Sequence, residues 1–407
     1  MNKLILKFLC LPIIGFGQGW EKTIDYCESL LDAKQTNDNG YIFIGFSNDD
    51  YFLVKTNING EEEWIRNIET LNPVQERGKV FQTQDNGYIF FSDNGLVKSN
   101  NQGIIEWNFE ISGNITDLHP TSDNNFIVLC LGEMIKIDLD GNLIWSKQIN
   151  IMGSHGSIAT TNDGGYISVG DSNIDDDTQK LIKYDQNGNE QWSKIYPETS
   201  EITLCGDNYD NPPRAHSIVQ TNDNGFVISD ILGILKFDSN GNFEWNSCHD
   251  ALLYPSADEN WTFDVKQTND GGYIATGWLN TQDFKNNIGI VVVLYKVNQF
   301  GEQEWYNYYG VSPEASDDEG SQGFSVSITN DNGFIISGTY DGYNKGYLIK
   351  TNSLGDITST FEIPLTNTNK KLKKTINLKG QEINPLTNTP IIKLYNDGSV
   401  EKKFIIE

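Results

Sequence analysis

One short segment recurs seven times along the 407 residues. It reads QTNDNGYIFIG from Gln35 to Gly45, QTQDNGYIF from Gln82, PTSDNNFIV from Pro120, TTNDGGYISVG from Thr160, QTNDNGFVI from Gln220, QTNDGGYIATG from Gln267 and ITNDNGFIISG from Ile328. The marker aspartates are Asp38, Asp85, Asp123, Asp163, Asp223, Asp270 and Asp331. Their mean spacing is about 49 residues, a period at which each copy is one supersecondary unit that buries its apolar face only by stacking on its neighbours. A second pattern follows, Leu-Ile-Lys-x-Asp-x-Asn-Gly-x-x-x-Trp, as in Leu181 to Trp192. Its tryptophan comes four residues after a glycine at Gly60/Trp64, Gly103/Trp107, Gly141/Trp145, Gly188/Trp192, Gly241/Trp245 and Gly301/Trp305, and only Gly355 is followed instead by Ser359.

Each copy holds four short apolar or alternating runs punctuated by turn residues. In the fifth they are His216 to Gln220, Phe226 to Ser229, Ile234 to Phe237 and Phe243 to Asn246. Such runs, rich in Ile, Val, Tyr, Phe and Trp and joined through Asn-Gly or Gly-Gly, are strands linked as hairpins. No helical stripe of useful length follows the first residues. Four strands per repeat and seven repeats predict an all-β chain, a seven-bladed β-propeller of four-stranded blades. An open β-solenoid is the competing arrangement, although its coils are shorter and are not four-strand meanders. A ring must close, because unpaired edges invite aggregation. Gly19-Trp20-Glu21-Lys22 resembles the outer strands at Trp145 and Trp192, so Trp20 to Ile24 is expected to complete the seventh blade. Residues 357–363 compete for that place.

The first 17 residues have the form of a secretory signal peptide: Lys3 and Lys7, then an apolar run from Phe8 to Phe16, then the small residues Gly15 and Gly17 at its end. A lipoprotein reading of Cys10 is disfavoured by Phe8 and Leu9, which stand where small residues belong. Beyond residue 17 no run reaches the roughly 20 apolar residues of a membrane helix. Export makes cysteine pairing permissible. Of Cys27, Cys130, Cys205 and Cys248, Cys130 lies in an apolar run and reads as a buried thiol, while Cys205 and Cys248, near strand ends or loops of neighbouring repeats, are the preferred pair.

The turns Asp138-Leu-Asp140-Gly141, Asp185-Gln-Asn187-Gly188 and Asp238-Ser-Asn240-Gly241 look like the opening of a calcium loop, but an EF-hand needs Gly at its sixth position and Glu at its twelfth. Neither is present. The aspartate is instead expected to accept hydrogen bonds within its own turn while Gly takes positive φ. In a four-strand meander these turns and the Thr-x-Asp-x-Gly turns share one face. Every insertion falls on the other face, at 171–179, 197–213, 249–260, 278–289, 308–322 and 339–346. Variable loops on a rigid scaffold are where binding usually sits. Of three arginines, Arg77 and Arg214 fall where an innermost strand begins, at the mouth of the central channel, with His155, His216 and Trp261 at nearby register positions and Trp278 in a variable loop. These six residues are the candidate ligand site, for an anionic or hydroxylated ligand; the competing reading pairs the cations with acidic neighbours. No catalytic triad, metal-ligand spacing or phosphate loop stands out, so neither metal nor cofactor is expected.

The formal charge is −27, which would repel nucleic-acid phosphates and anionic lipid. The charge is also uneven. Residues 370–407 hold eight lysines and four acids, against 19 basic and 52 acidic residues in 18–369. Such asymmetry marks a boundary. The sequence thus divides into a signal peptide (1–17), a propeller (18–363) and a short C-terminal β-tail of three strands (364–407).

The tail runs Lys374 to Glu382 through Gly380, then Asn388 to Pro390, then Tyr395, Asp397, Gly398, Val400, Lys402 and Lys403, to the terminal Glu407. In order and position it resembles the last part of the C-terminal sorting domain of bacterial type IX secretion cargo. The body resembles the repeat propellers attached to such tails. The resemblance implies crossing of the inner membrane by the signal peptide, crossing of the outer membrane through the type IX machinery, and a secreted or outer-surface location. Two functional classes stay open: a binding propeller for an extracellular ligand, a glycan or a protein, and a polysaccharide lyase or glycosidase with loop-borne carboxylates. The lack of a His, Tyr and Arg cluster around one cleft favours binding.

Overall fold

The computed structural model describes residues 19–357 and 372–404, apart from 48–49, 69–77, 93–94, 112, 173–177, 197–213, 231–232, 249–260, 281–289, 311–319, 343, 377–382, 384–389 and 396–399. Every regular element among the described residues is a β-strand. Seven antiparallel four-stranded sheets form the blades. Their innermost strands are Ser29–Gln35, Val80–Gln82, Ile115–Pro120, Met152–Thr160, Ala215–Gln220, Trp261–Gln267 and Gln322–Ile328, which define blades 1 to 7 around a central channel. The fifth blade continues with Phe226–Asp230, Gly233–Phe237 and Phe243–Ser247, within one residue of the runs read from sequence. The outermost strand of blade 7 is Trp20–Ile24, paired antiparallel with Lys345–Thr351 from Trp20 opposite Lys350 to Ile24 opposite Gly346. The N-terminal strand therefore closes the ring.

The repeated segment explains itself in the first turn of each blade. In blade 1 the Thr36 N–H donates to Gly40 O at 2.9 Å, Asn39 takes φ 66°, and Asp38 Oδ1 accepts from the Thr36 hydroxyl and from the Gly40 N–H. Gly40 has to be glycine, since a Cβ there would lie 2.1 Å from Thr56 O. The other carboxylate oxygen faces a buried lysine on the third strand. Lys55, Lys98, Lys136, Lys183, Lys236, Lys296 and Lys350 reach the seven marker aspartates at 2.9, 2.8, 2.7, 2.8, 3.0, 3.1 and 2.9 Å. Burial works against these carboxylates. The lysine and the threonine hydroxyl nevertheless hold Asp123 and Asp163 down at about 2. The ion pair is what the marker aspartate adds beyond its turn, and a buried ammonium is tolerated only when paired in this way.

The second pattern joins blades. Asp138 Oδ1 accepts the N–H groups of Asp140 and Asn142 at 3.0 and 2.8 Å, so the Asp138 to Gly141 segment is an Asx turn and its carboxylate serves its own backbone. The glycine of each such turn lies under the tryptophan of the preceding blade. Gly241 (φ 75°) would place a Cβ 2.6 Å from the Trp192 ring. The pairing runs from Trp20 on Gly60 round to Trp305 on Gly355. Seven apolar clusters fill the ring, one between each pair of neighbouring blades.

Cys130 is buried and free, and so is Cys27; burial pushes both thiols up to about 12. Cys248 is disulfide-bonded, while Cys205 lies outside the described residues. A second compact unit, Ser359–Glu407, contains one antiparallel sheet in which Pro390–Tyr395 lies between Leu372–Ile376 and Val400–Phe404. Of the sorting-tail residues, Tyr395 is opposite Leu372, Val400 opposite Leu394, Lys402 opposite Ile392 and Lys403 opposite Ile391. Gly380, Asp397 and Gly398 lie outside the described residues.

Candidate functional site at the channel mouth

The innermost strands are not regular. In blades 1, 3, 5, 6 and 7 the ladder to the second strand skips one residue, at Leu31, Thr116, His216, Phe263 and Phe324. A bulge re-aims the extra side chain. These five, with Gly78 of blade 2 and Gly156 of blade 4, line one cavity of about 240 Å³ in the channel, with every blade contributing one. Since each innermost strand begins at a variable loop and ends at a Thr-x-Asp-x-Gly turn, the bulges place this cavity toward the variable-loop end.

The next residue along each strand forms the floor: Asp32, Lys79, Asp117, Ser157, Ser217, Asp264 and Ser325. Asp117 accepts from Lys79 Nζ at 2.8 Å, from Ser157 Oγ at 2.6 Å and from the Ile158 N–H at 2.9 Å. Asp32 pairs with Lys34 and accepts the Val80 N–H at 3.0 Å and Ser325 Oγ at 2.6 Å. Asp264 pairs with Lys266 and accepts the Val326 N–H at 3.1 Å. Each carboxylate thus bridges its blade to the next. Burial alone would raise Asp117, but Lys79 beside it holds the carboxyl below the usual range; Lys266 and Lys79 do the same for Asp264. Burial lowers Lys266, and the like charges of Lys79 and Lys34 push in the same direction. Three acids and three lysines therefore form one balanced cluster across the channel. Deeper still, burial lowers His119 to about 4, which leaves it neutral near pH 7.

Above the floor the wall is aromatic. The His216 ring lies 4.8 Å from Phe263 and 5.5 Å from Trp261, and Phe263 meets Phe324 edge-on at 5.6 Å. Trp261 and Trp278 are direct cross-strand partners, with parallel indoles (13°) and centroids 6.4 Å apart. The chain has nine tryptophans. Seven sit on outermost strands against a glycine of the next blade, and Trp261 and Trp278 are the two left over. The Arg214 guanidinium sits 6.0 Å from the Trp261 ring centroid, and no carboxylate among the described residues pairs with it.

The structure brings together four of the six residues singled out from sequence: Arg214, His216, Trp261 and Trp278. Trp278 belongs to the strand Tyr273–Asn280 rather than to a loop, because its blade's second strand runs longer than the others'. His155 lies on the innermost strand of blade 4, one residue before Gly156, and its side chain is outside the described residues, as is the whole of Arg77. Phe263 and Phe324 were missed. Their signal was positional: every cavity residue comes five before the threonine of its turn, and every floor residue four before it.

Together, fold and site define a seven-bladed β-propeller with an aromatic cavity at one end of its channel. Its fold is similar to virginiamycin B lyase from Staphylococcus aureus (TM-score 0.55, 10% identity, 82% of this chain and 99% of that one) and to a streptogramin B lyase (0.54, 10%, 83% and 99%). It is likewise similar to the Pan2 WD40 domain of Neurospora crassa (0.51, 10%, 82% and 96%). At such identity the likeness is one of fold alone. No protein-family model and no curated protein matches the chain.

Proposed function

We propose that the protein is an exported binding propeller, secreted or held at the outer cell surface through the type IX machinery, which seats a glycan at the variable-loop end of its channel. The observation that carries the binding reading is the pair of tryptophans released from the repeat's structural role and set at the cavity rim. Flat aromatic faces suit the apolar C–H faces of sugar rings, and the neighbouring Arg214 and His216 offer polar atoms to hydroxyls. The loop-borne carboxylates of the catalytic alternative lie largely outside the described residues, and those at the cavity floor, Asp32, Asp117 and Asp264, are each occupied by a lysine and a neighbouring N–H or hydroxyl. Glycan and protein arrays probed with the mature chain test this reading. Trp261→Ala is expected to weaken binding by more than about tenfold, as central aromatic anchors do, in a protein that still melts cooperatively at a lowered temperature. Gly241→Ala should instead destabilise the turn while leaving affinity intact. Loss of affinity only on the tight-turn side would overturn the assignment of the site, and a protein ligand alone on the arrays would replace the glycan.

Export rests on the signal-like N-terminus, the resemblance of the tail and a disulfide at Cys248, for which Cys205 is the partner we propose. Removing Lys370 to Glu407 is expected to leave a folded propeller that collects in the periplasm. Unchanged release of the truncated chain would show that the tail is not an address.

A further inference from the structure

Below the cavity the channel is crossed by a charged layer. The three aspartates of the floor and the lysines Lys34, Lys79 and Lys266 neutralise one another, and the aspartates tie neighbouring blades together at hydrogen-bond distance. A ligand entering from the variable-loop end meets Lys79, Ser217, Asp264 and Ser325 of this layer in the lining of the cavity. The volume, about 240 Å³, lies below the roughly 300–1,000 Å³ of sites for drug-sized ligands, so it accommodates a single ring rather than an oligomer. Arg214 at the rim is the other anomaly. In a chain with 56 acidic residues, its guanidinium has an indole face and no carboxylate among the described residues. A guanidinium is the side chain best shaped to take a carboxylate through two parallel hydrogen bonds.

Resting on the glycan reading above, we propose that the cavity takes the terminal residue of the glycan end-on, and that the residue selected is a uronate whose carboxylate meets Arg214. The ring enters against Trp261 and Phe263, and the following residue lies along the Trp278 indole. The protein's charge of −27 strengthens the end-on geometry. A polyuronate lying across the acidic loop face would be repelled along its length, whereas one terminal carboxylate at a cation is not.

Titration calorimetry with di- and hexagalacturonate, set against neutral galactan oligomers of matched length, tests the proposal. The wild type is expected to bind both uronates with affinities within about threefold of each other, and the neutral oligomers at least about tenfold more weakly. Arg214→Gln should erase that preference by weakening only the uronates, and Arg214→Lys should restore part of it. Because the guanidinium's contact among the described residues is the Trp261 ring, neither substitution should move the melting temperature by more than a degree or two. Affinity that climbs steadily with chain length overturns end-on binding. Equal affinity for neutral and acidic oligomers, still lost in Trp261→Ala, overturns the uronate and leaves the glycan reading in place. No binding of any glycan by the wild type overturns both.

Discussion

Deleting Gly19 to Ile24 from the mature chain is expected to abolish the cooperative melt and drive the protein into aggregates. The deletion strips the fourth strand from blade 7 and bares Lys345–Thr351 as an unpaired edge, the feature that sheet proteins hide to avoid joining one another. It also removes Trp20 from Gly60 of blade 1, and Trp20 and Ile24 from the apolar cluster between blades 7 and 1. The interface that makes the ring continuous is then lost as a unit. Trp20→Ala should be milder. It keeps the backbone ladder and forfeits a half-buried indole, at a cost of about 3 kcal/mol and a lowered but still cooperative transition. Size-exclusion chromatography and thermal melting of the two variants check this. A monomeric, unshifted deletion variant would mean that another segment closes the ring.

Asp117→Ala carries the second large effect. The substitution leaves the Lys79 ammonium, the Ser157 hydroxyl and the Ile158 N–H without their shared acceptor inside the channel. Removing one partner of a buried pair typically costs about 3–5 kcal/mol, mostly the penalty of the stranded charge. A fall in melting temperature on the order of 10 °C is expected. The double variant Asp117→Leu, Lys79→Met removes both charges and should recover much of the loss, a non-additivity that a double-mutant cycle measures. The pH dependence has a definite sign. Lys79 holds the Asp117 carboxyl below its unfolded value, so its contribution is complete above about pH 4 and is lost as pH falls through the lowered native value. The gap between wild type and Asp117→Ala should therefore close in strong acid. A gap that is constant from neutral pH into strong acid would assign the loss to packing rather than to the ion pair.

The architecture was legible because its causes are local. Thr36, Asp38 and Gly40 build a turn from atoms within five residues of one another, and Asp138 satisfies its own turn in the same way. Seven repetitions of such a unit leave little choice but a ring, and the resemblance of Trp20 to the other outer-strand tryptophans put Trp20 to Ile24 forward as the closing strand, which the pairing with Lys345–Thr351 decides against residues 357–363. The partners of those tryptophans were less legible. Trp192 meets Gly241 of the next blade, about 50 residues away, and no spacing rule within one repeat points across that distance.

The candidate site divides along the same line. Arg214, His216 and Trp261 could be placed at the channel mouth because they sit at the start of innermost strands, a matter of register. Phe263 and Phe324 were overlooked because, to the alternation rule, they are ordinary strand aromatics. Only the bulge beside each turns it into the channel, and a bulge is decided by pairing with the second strand. By itself, the sequence determined the blade count, the strand content and the turn chemistry, since each follows from contacts within one repeat or from the repetition itself. The tertiary structure alone decided that Asp32, Asp117 and Asp264 meet Lys34, Lys79 and Lys266 as one neutral cluster. It also decided that the Arg214 guanidinium lies against an indole, with no carboxylate among the described residues paired to it. Those outcomes depend on which side chains seven separate strands bring to one axis, a relation that no window along the chain contains.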